Sequence, residues 1–232
     1  MWHNKNKNIN FSNWDLCGKD FSGRDLRGAN FQGAKLSNAS FFNANLANAN
    51  FSGATLVETL FSDACLHDAD FSNAQMKSAY LDKTDLANAN FSDADVEKGY
   101  FQQARFFRTN LSNANFHSAH FVDAEFNDTN FKNAVFVRAN FSNAGLTLAD
   151  FSYHNLSHAE FTSARLLEAN LSYSNLTGAC FYNAVLSGVN ALHANIEGAN
   201  FDKALIDYGN LSQALKFRYP ANQDNILFSS RA

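Results

Sequence analysis

The chain has little of several features that mark the commoner protein classes. Its 232 residues include one proline and three cysteines, and no run of 18 or more apolar residues occurs. The lack of such a run argues against a membrane-spanning helix. An odd number of scattered cysteines gives no disulfide framework and is typical of a reducing compartment. We therefore expect a chain without a membrane span, stabilised by packing rather than by cross-links.

Charge and the N-terminus exclude two further classes. The formal net charge of -4 is mild, whereas proteins that bind nucleic acid directly usually carry a strongly basic surface. The first seven residues, MWHNKNK, lack the apolar segment of a secretory signal. We predict a cytoplasmic protein that does not bind nucleic acid directly, and delivery as a secreted effector stays open.

A large apolar residue returns at every fifth position. This register runs from Phe11 to Leu211 without an insertion or deletion, and Ala191 is the one exception in size among its 41 positions. A small residue lies two positions before each large one, and Ala fills 29 of the 38 small positions from Ala29 to Ala214. A period of five matches neither the 3.6 of a helix nor the 2 of a strand. Both lines of residues can therefore share one interior only if the backbone turns a corner about every five residues.

Four such corners close a square coil of 20 residues, so residues 20 apart should stack on successive coils. One outward column at this spacing, from Asn10 to Asn210, is Asn or Asp throughout, and stacked amides can form side-chain ladders. The corner position, two after each large residue, is Gly, Asn or Asp at 23 of 41 places. These residue types tolerate positive φ. The sequence therefore predicts a narrow solenoid of about ten coils.

Units such as 29–33 (ANFQG), 44–48 (ANLAN) and 139–143 (ANFSN) resemble the A(D/N)LXX unit of the pentapeptide repeat family. The resemblance extends over most of the chain. It implies an all-β fold, a right-handed quadrilateral β-helix with capped ends. It implies much less about activity, because one fold can carry unrelated functions.

Both ends of the chain differ from its middle. In residues 1–27, bulky or charged residues such as Trp14 and Arg24 occupy small positions, so we expect an N-terminal cap and a degenerate first coil that is built differently. Residues 28–215 form the predicted regular β-helix. We predict that the C-terminal tail, residues 216–232, folds over the last coil or joins a second copy there, because an open coil end presents unpaired backbone groups. The candidate residues for this cap or dimer contact are Phe217, Tyr219, Ile226, Leu227 and Phe228.

The sequence offers little catalytic or metal-binding chemistry. It contains no nucleophile elbow, no phosphate-cradling glycine loop and no paired-cysteine pattern. His117 and His120 flank one corner, but two ligands are too few for a typical metal site. His154 takes an inward small position and Ser174 follows it in the same column, so we expect these buried side chains to pair. A catalytic pair would lack an orienting carboxylate and a cleft, and we predict a protein that is not an enzyme and has no cofactor.

The outer surface carries the candidate binding residues. Aromatic and apolar side chains form a predicted exposed stripe across adjacent coils, and aromatic residues are favoured anchors at protein interfaces. The alternative interpretation is that stacked rings only stabilise neighbouring coils, as cross-strand pairs do. A second cluster, Tyr153 and Tyr173 followed by His193, lies on another side and allows the same two interpretations. The stripe and its neighbours comprise Phe42, Leu60, Tyr80, Tyr100, His120 and Val122.

Two functions fit these features. The first is a rigid, non-catalytic rod that binds a partner protein through surface contacts. The second follows from the resemblance, since some pentapeptide repeat proteins mimic DNA, bind DNA gyrase or topoisomerase IV, and confer resistance to quinolones or gyrase poisons. A DNA mimic needs a strongly acidic rod, whereas Arg105 over Glu125 and Arg108 over Asp128 would interrupt an acidic stripe. We predict the binding rod, with gyrase binding as the alternative and a homodimer through the C-terminal end as an open prediction.

Overall fold

The computed structural model describes residues 9–206 and the two residues Leu227–Phe228. Over the first range, the chain repeats one five-residue unit, in which a turn is followed by an extended residue that forms a β-bridge. The bridges are parallel and join residues 20 apart, as in Asn10 with Asn30 and Asn30 with Asn50. Four units therefore complete one coil, in agreement with the column pattern of the sequence.

Each corner is a four-residue turn whose third residue has a positive φ. The N–H of Ala34 donates to the carbonyl oxygen of Phe31 at 3.0 Å, and Gly33 between them has a φ of 64°. Asn48 adopts the same conformation with a φ of 60°. Gly and Asn adopt a positive φ at this turn position with the smallest conformational free-energy cost. The enrichment of Gly, Asn and Asp two residues after each large one is therefore explained, and the corners lie where the sequence predicts them.

The large apolar residues fill the interior as stacked columns. The rings of Phe31 and Phe51 lie one coil apart, with centroids 4.8 Å apart and an interplanar angle of 1°. Rings on adjacent sides of the coil meet edge to face, as Phe41 and Phe51 do at 5.6 Å and 84°. Both arrangements are favourable for aromatic pairs. Ala54, at a small position, is fully buried, which shows how Ala leaves room for the rings in a densely packed interior.

Three backbone hydrogen bonds per unit join each coil to its neighbours. In one unit, Phe31 N–H donates to Asn50 at 2.7 Å, Gly33 N–H to Ser52 at 3.0 Å, and Lys35 N–H to Trp14 at 2.9 Å in the other direction. This ladder provides partners for the backbone N–H and carbonyl groups that lie between successive coils, which would otherwise be buried without a hydrogen bond. Within residues 9–206 it is continuous except at one place, between residues 128–136 and residues 147–155.

The first coil has the same backbone as the later coils, whereas its small positions hold exposed side chains, as at Trp14 and Arg24. Phe11 N–H donates to Asn30 at 2.7 Å, and the following units repeat this bond up to Phe126. Trp14 is 56% exposed at its small position, because no described coil is stacked beneath it. A bulky residue is tolerated there for the same reason. The role of residues 1–27 as a cap remains a prediction.

The two short strands of the structure are β1, Leu205–Ile206, and β2, Leu227–Phe228, which pair in parallel. Leu205 lies opposite Leu227, so the chain returns to the last coil two residues later than the 20-residue period requires. Phe217, Tyr219 and Ile226 lie outside the described residues. The cap and dimer roles of the five tail residues, the handedness of the helix and the total number of coils remain predictions.

A buried and an exposed phenylalanine should respond very differently to the same truncation. Phe51→Ala leaves a cavity in the ring column, and we expect it to lower the free energy of unfolding by about 3–5 kcal/mol. Phe42 is 50% exposed, so Phe42→Ala should change stability by about 0.5 kcal/mol or less. Denaturant unfolding followed by circular dichroism measures both values. Equal losses for the two variants would contradict the assignment of the core.

Candidate functional site

The predicted stripe is a continuous stack of side chains on four successive coils. Bridges link Leu60 to Tyr80, Tyr80 to Tyr100, and Tyr100 to His120. The Tyr80 and Tyr100 ring centroids are 4.9 Å apart at 5°, and those of Tyr100 and His120 are 5.0 Å apart at 4°. All three rings are half-buried, since each covers a face of its neighbour. We refer to these four residues as the Tyr stripe.

Phe42 and Val122 lie near the two ends of the Tyr stripe. Phe42 follows two residues after Ser40, whose bridge partner is Leu60, and Val122 follows two residues after His120. Phe42 is 50% exposed and Leu60 is 40% exposed, whereas Val122 is half-buried. The stripe therefore has its most exposed apolar surface at the Phe42 end.

The second cluster is also a ring stack, and its rings are more exposed. The Tyr153 and Tyr173 centroids are 4.9 Å apart at 1°, and Tyr173 lies 4.9 Å from His193 at 36°. Tyr153 is 75% exposed and Tyr173 is 48% exposed. All three residues take the positive-φ corner position, where side chains other than Gly and Asn are strained by about 1–3 kcal/mol. We refer to these three residues as the corner stack.

The sequence analysis missed one apolar residue beside the corner stack. Leu192 directly precedes His193 and is 46% exposed. A signal for it existed, because Leu192 stands in an outward column that holds Ser in most coils, including Ser152 and Ser172. The corner stack thus has an apolar neighbour at its C-terminal end.

Ion pairs of mixed sign cover other parts of the described surface. Arg108 Nε lies 3.8 Å from Asp128 Oδ2, in agreement with the sequence analysis. Arg105 lies over Glu125 as predicted, but the Glu125 carboxylate forms its ion pair with Arg165, two coils away from Glu125, at 2.5 Å. Gly145 occupies the intervening coil, and a Cβ there would collide with the Glu125 carboxylate. The missing side chain therefore allows the pair to reach across one coil.

A lysine neutralises two acidic groups on a further corner. Lys77 Nζ lies 2.8 Å from Glu97 Oε2 and 3.6 Å from Asp95 Oδ2. The hydrogen bond from Lys77 lowers the pKa of Glu97 and, in return, raises the pKa of Lys77. Exposed pairs of this kind add little to stability. Their main effect is that the acidic side chains do not form a surface of one sign.

His154 and Ser174 are both buried, but the expected pairing between them was wrong. His154 Nε2 lies 2.7 Å from the carbonyl oxygen of Phe131, and Nδ1 lies 2.9 Å from that of Ser152. The Ser174 hydroxyl donates to the carbonyl oxygen of Leu171 at 2.6 Å. Backbone oxygens are within reach of each side chain, so neither needs the other, and the two do not form a nucleophile–base pair.

The described residues lack two other kinds of site. No group of three or more of their His, Cys, Asp or Glu side chains could hold a metal ion. In the same part of the chain, no helix is long and apolar enough to span a membrane. The ring stacks are thus the most distinctive features of the described surface.

Known families match the repeated part of the chain. A pentapeptide repeat region matches residues 12–91, and pentapeptide repeats in eight copies match residues 100–136, 109–147 and 149–188. The chain belongs to the pentapeptide repeat family. The resemblance seen in the repeat units is therefore confirmed. A search of curated proteins gave no significant match.

Solved structures of pentapeptide repeat proteins are similar to this chain. One of them is HetL from the cyanobacterium Nostoc sp. strain PCC 7120, a pentapeptide repeat protein involved in heterocyst differentiation regulation. It is 26% identical to this chain with a TM-score of 0.65, and the match covers 86% of this chain and 90% of HetL. Full-length QnrB1, a plasmid-mediated fluoroquinolone resistance protein, is 20% identical with a TM-score of 0.38, covering 91% of this chain and 99% of QnrB1. The similarity to HetL supports the same fold. The TM-score of QnrB1 is too low for that structure to support any conclusion about this chain.

The stacking of the Tyr stripe predicts a measurable coupling between its rings. The stability losses of Tyr80→Ala and Tyr100→Ala should not add in the double variant, and the coupling should be about 0.5–1.5 kcal/mol. Denaturant unfolding of the two single variants and the double variant gives this value. The distant pair Tyr80→Ala and Tyr173→Ala is the control and should be additive. An additive result for Tyr80 and Tyr100 would contradict the stacked geometry.

Proposed function

We propose that this pentapeptide repeat protein is a rigid, non-catalytic rod that binds a partner protein through its stacked aromatic side chains. The observation that carries the proposal is the Tyr stripe, in which parallel rings on successive coils present their edges to solvent. The corner stack provides a second aromatic surface. The likeness to HetL, which is involved in a regulatory process, supports a regulatory binding role.

The physical basis of the proposal is preorganisation. Stacked rings on a hydrogen-bonded backbone have already lost most of their rotamer freedom, so a partner meets a surface that needs little further ordering. Tyr side chains also combine an apolar ring with a hydroxyl group that forms hydrogen bonds, which is why they are common anchors at interfaces. A folded coil without inserted segments, as residues 9–206 are, keeps the spacing of these anchors fixed.

Gyrase or topoisomerase IV binding is the alternative function, and the charge distribution gives it less support. A DNA mimic needs negative charge arranged along the rod, as in duplex DNA. In the described residues, several acidic groups are instead paired with bases, as Glu97 is with Lys77 and Glu125 is with Arg165. We therefore place the protein-binding rod first.

The Tyr stripe should be required for partner capture. Immobilised wild-type protein is incubated with lysate of the source organism, and captured proteins are identified by mass spectrometry. We expect the variant with Tyr80→Ala and Tyr100→Ala to lose the captured partner, because its ring edges are removed. Phe107→Ala with Tyr182→Ala is the matched control, because it removes two exposed aromatic side chains that belong to neither ring stack. Unchanged capture by the Tyr80 and Tyr100 variant, with a melting curve close to wild type, would exclude this surface as the interface.

The gyrase alternative has a direct assay. We expect a large molar excess of the purified protein neither to inhibit supercoiling by gyrase nor to relieve its inhibition by ciprofloxacin, because the surface is not uniformly acidic. Supercoiling is read from the mobility of plasmid DNA on agarose gels. Dose-dependent inhibition or protection would instead favour the DNA mimic.

A further inference from the structure

One place in the described solenoid lacks its coil-to-coil hydrogen bonds. Six bonds that the regular pattern requires are not formed between residues 128–136 and residues 147–155, and two β-bridges are missing at the same place. Every other coil-to-coil bond of the regular pattern that falls within residues 9–206 is present. The N–H groups that lose their ladder partner belong to Asp128, Phe131, Asn133, Phe136, Asp150 and Asn155. We refer to this place as the coil break.

The coil break coincides with the one imidazole at a small position. The column that contains His154 holds Ala in every coil from Ala34 to Ala134, and a histidine side chain is much larger than a methyl group. Its Nε2 lies 2.7 Å from the carbonyl oxygen of Phe131 on the preceding coil. The ring thus lies between the two coils, and its hydrogen bond joins them. We refer to His154 as the wedge residue.

At the coil break, the backbones of the two coils are separated, while the rings of the core remain in contact. A cavity of about 650 Å³ lies at the break, lined by polar groups that include Asn130, Asp150 and His154. The rings of Phe131 and Phe151 remain in contact across it at 4.6 Å, but they are tilted by 41°, whereas most other rings one coil apart are nearly parallel. Hence the coils diverge at the wall and still touch in the interior.

Elsewhere around the perimeter, the same two coils remain bonded. Phe126 N–H donates to Gly145 at 2.9 Å before the break, and Arg138 N–H donates to Ser157 at 3.0 Å after it. Two adjacent sides of the square coil are therefore open, and the other two sides are held. A wall that is bonded on two sides and open on the other two permits bending about the bonded sides.

We propose that the coil break is a hinge, wedged open by His154, that lets the two aromatic surfaces change their relative orientation. The Tyr stripe, Leu60 to His120, lies on the N-terminal side of the break, and the corner stack lies on its C-terminal side, with Tyr153 at the edge of the break itself. A partner that contacts both surfaces fixes the hinge at one angle. The hinge itself is a property of the protein alone, and only its use by a partner rests on the proposed function.

Hydrogen exchange tests the hinge in the absence of any partner. Without ladder bonds, the amides of Phe131, Asn133 and Phe136 should exchange at least about tenfold faster than their equivalents one coil earlier, Leu111, Asn113 and Phe116. In His154→Ala, the small residue of the column is restored, so the ladder should close and exchange should slow to the rate of those equivalents. The control is Ser174→Ala, which changes the next coil of the same column and should leave the fast amides unchanged.

Two exchange results would overturn the proposal. In the wild-type protein, exchange at Phe131 and Asn133 as slow as at Asn113 would show that no coil break exists in solution. If His154→Ala folds and the amides remain fast, the histidine is not the wedge. The wild-type measurement stands by itself if the variant fails to fold.

Spin-label distances test the bending directly. In a background with Cys17, Cys65 and Cys180 changed to Ser, labels at the exposed positions Asp68→Cys and Glu168→Cys span the open part of the break across five coils, or about 24 Å at the spacing of paired strands. Labels at Asn13→Cys and Asn113→Cys span five coils without crossing it. We expect a broader distance distribution for the first pair than for the second, and His154→Ala should narrow it. Equal widths in the wild-type background would exclude a hinge, whether or not a partner is ever found.

Discussion

The parallel hydrogen-bond ladder between successive coils is the interaction on which the rest of the structure depends. Each five-residue unit gives three backbone bonds to its neighbours, and these bonds hold residues 20 apart in register. Coils then follow one another at the spacing of paired strands, about 4.8 Å. That spacing suits the face-to-face stacking of flat side chains, so the backbone dictates which side-chain contacts are available.

The same geometry produces both the core and the candidate site. Inside, Phe31 and Phe51 stack at 4.8 Å, and outside, Tyr80 and Tyr100 stack at 4.9 Å. Amide columns follow the same rule, since the Asn110 amide donates to Asn90 at 3.0 Å. A column on this scaffold therefore becomes a binding surface by choice of residue type alone, without any change of backbone.

The repeating features of the fold, its corners and its interior, were predictable from the sequence. The contacts that depend on how far a particular side chain extends were not. The period of five places the corners and the interior, because a single register decides which residues point inward. The register predicts contacts between residues 20 apart, on adjacent coils. It therefore cannot show that Glu125 extends past Gly145 to pair with Arg165, two coils away. It also cannot show that His154 takes backbone oxygens rather than Ser174. A histidine in an alanine column was the sole sequence signal for the coil break.

The return of β2 onto β1 has a consequence for self-assembly. Solenoids with open, complementary ends are prone to head-to-tail polymerisation, because the last coil of one copy offers the edge that the first coil of another can extend. Leu227 pairs with Leu205 two residues out of phase with the repeat. We expect a strand that pairs with this edge out of phase to block in-register growth, which would disfavour filaments of stacked monomers at this end.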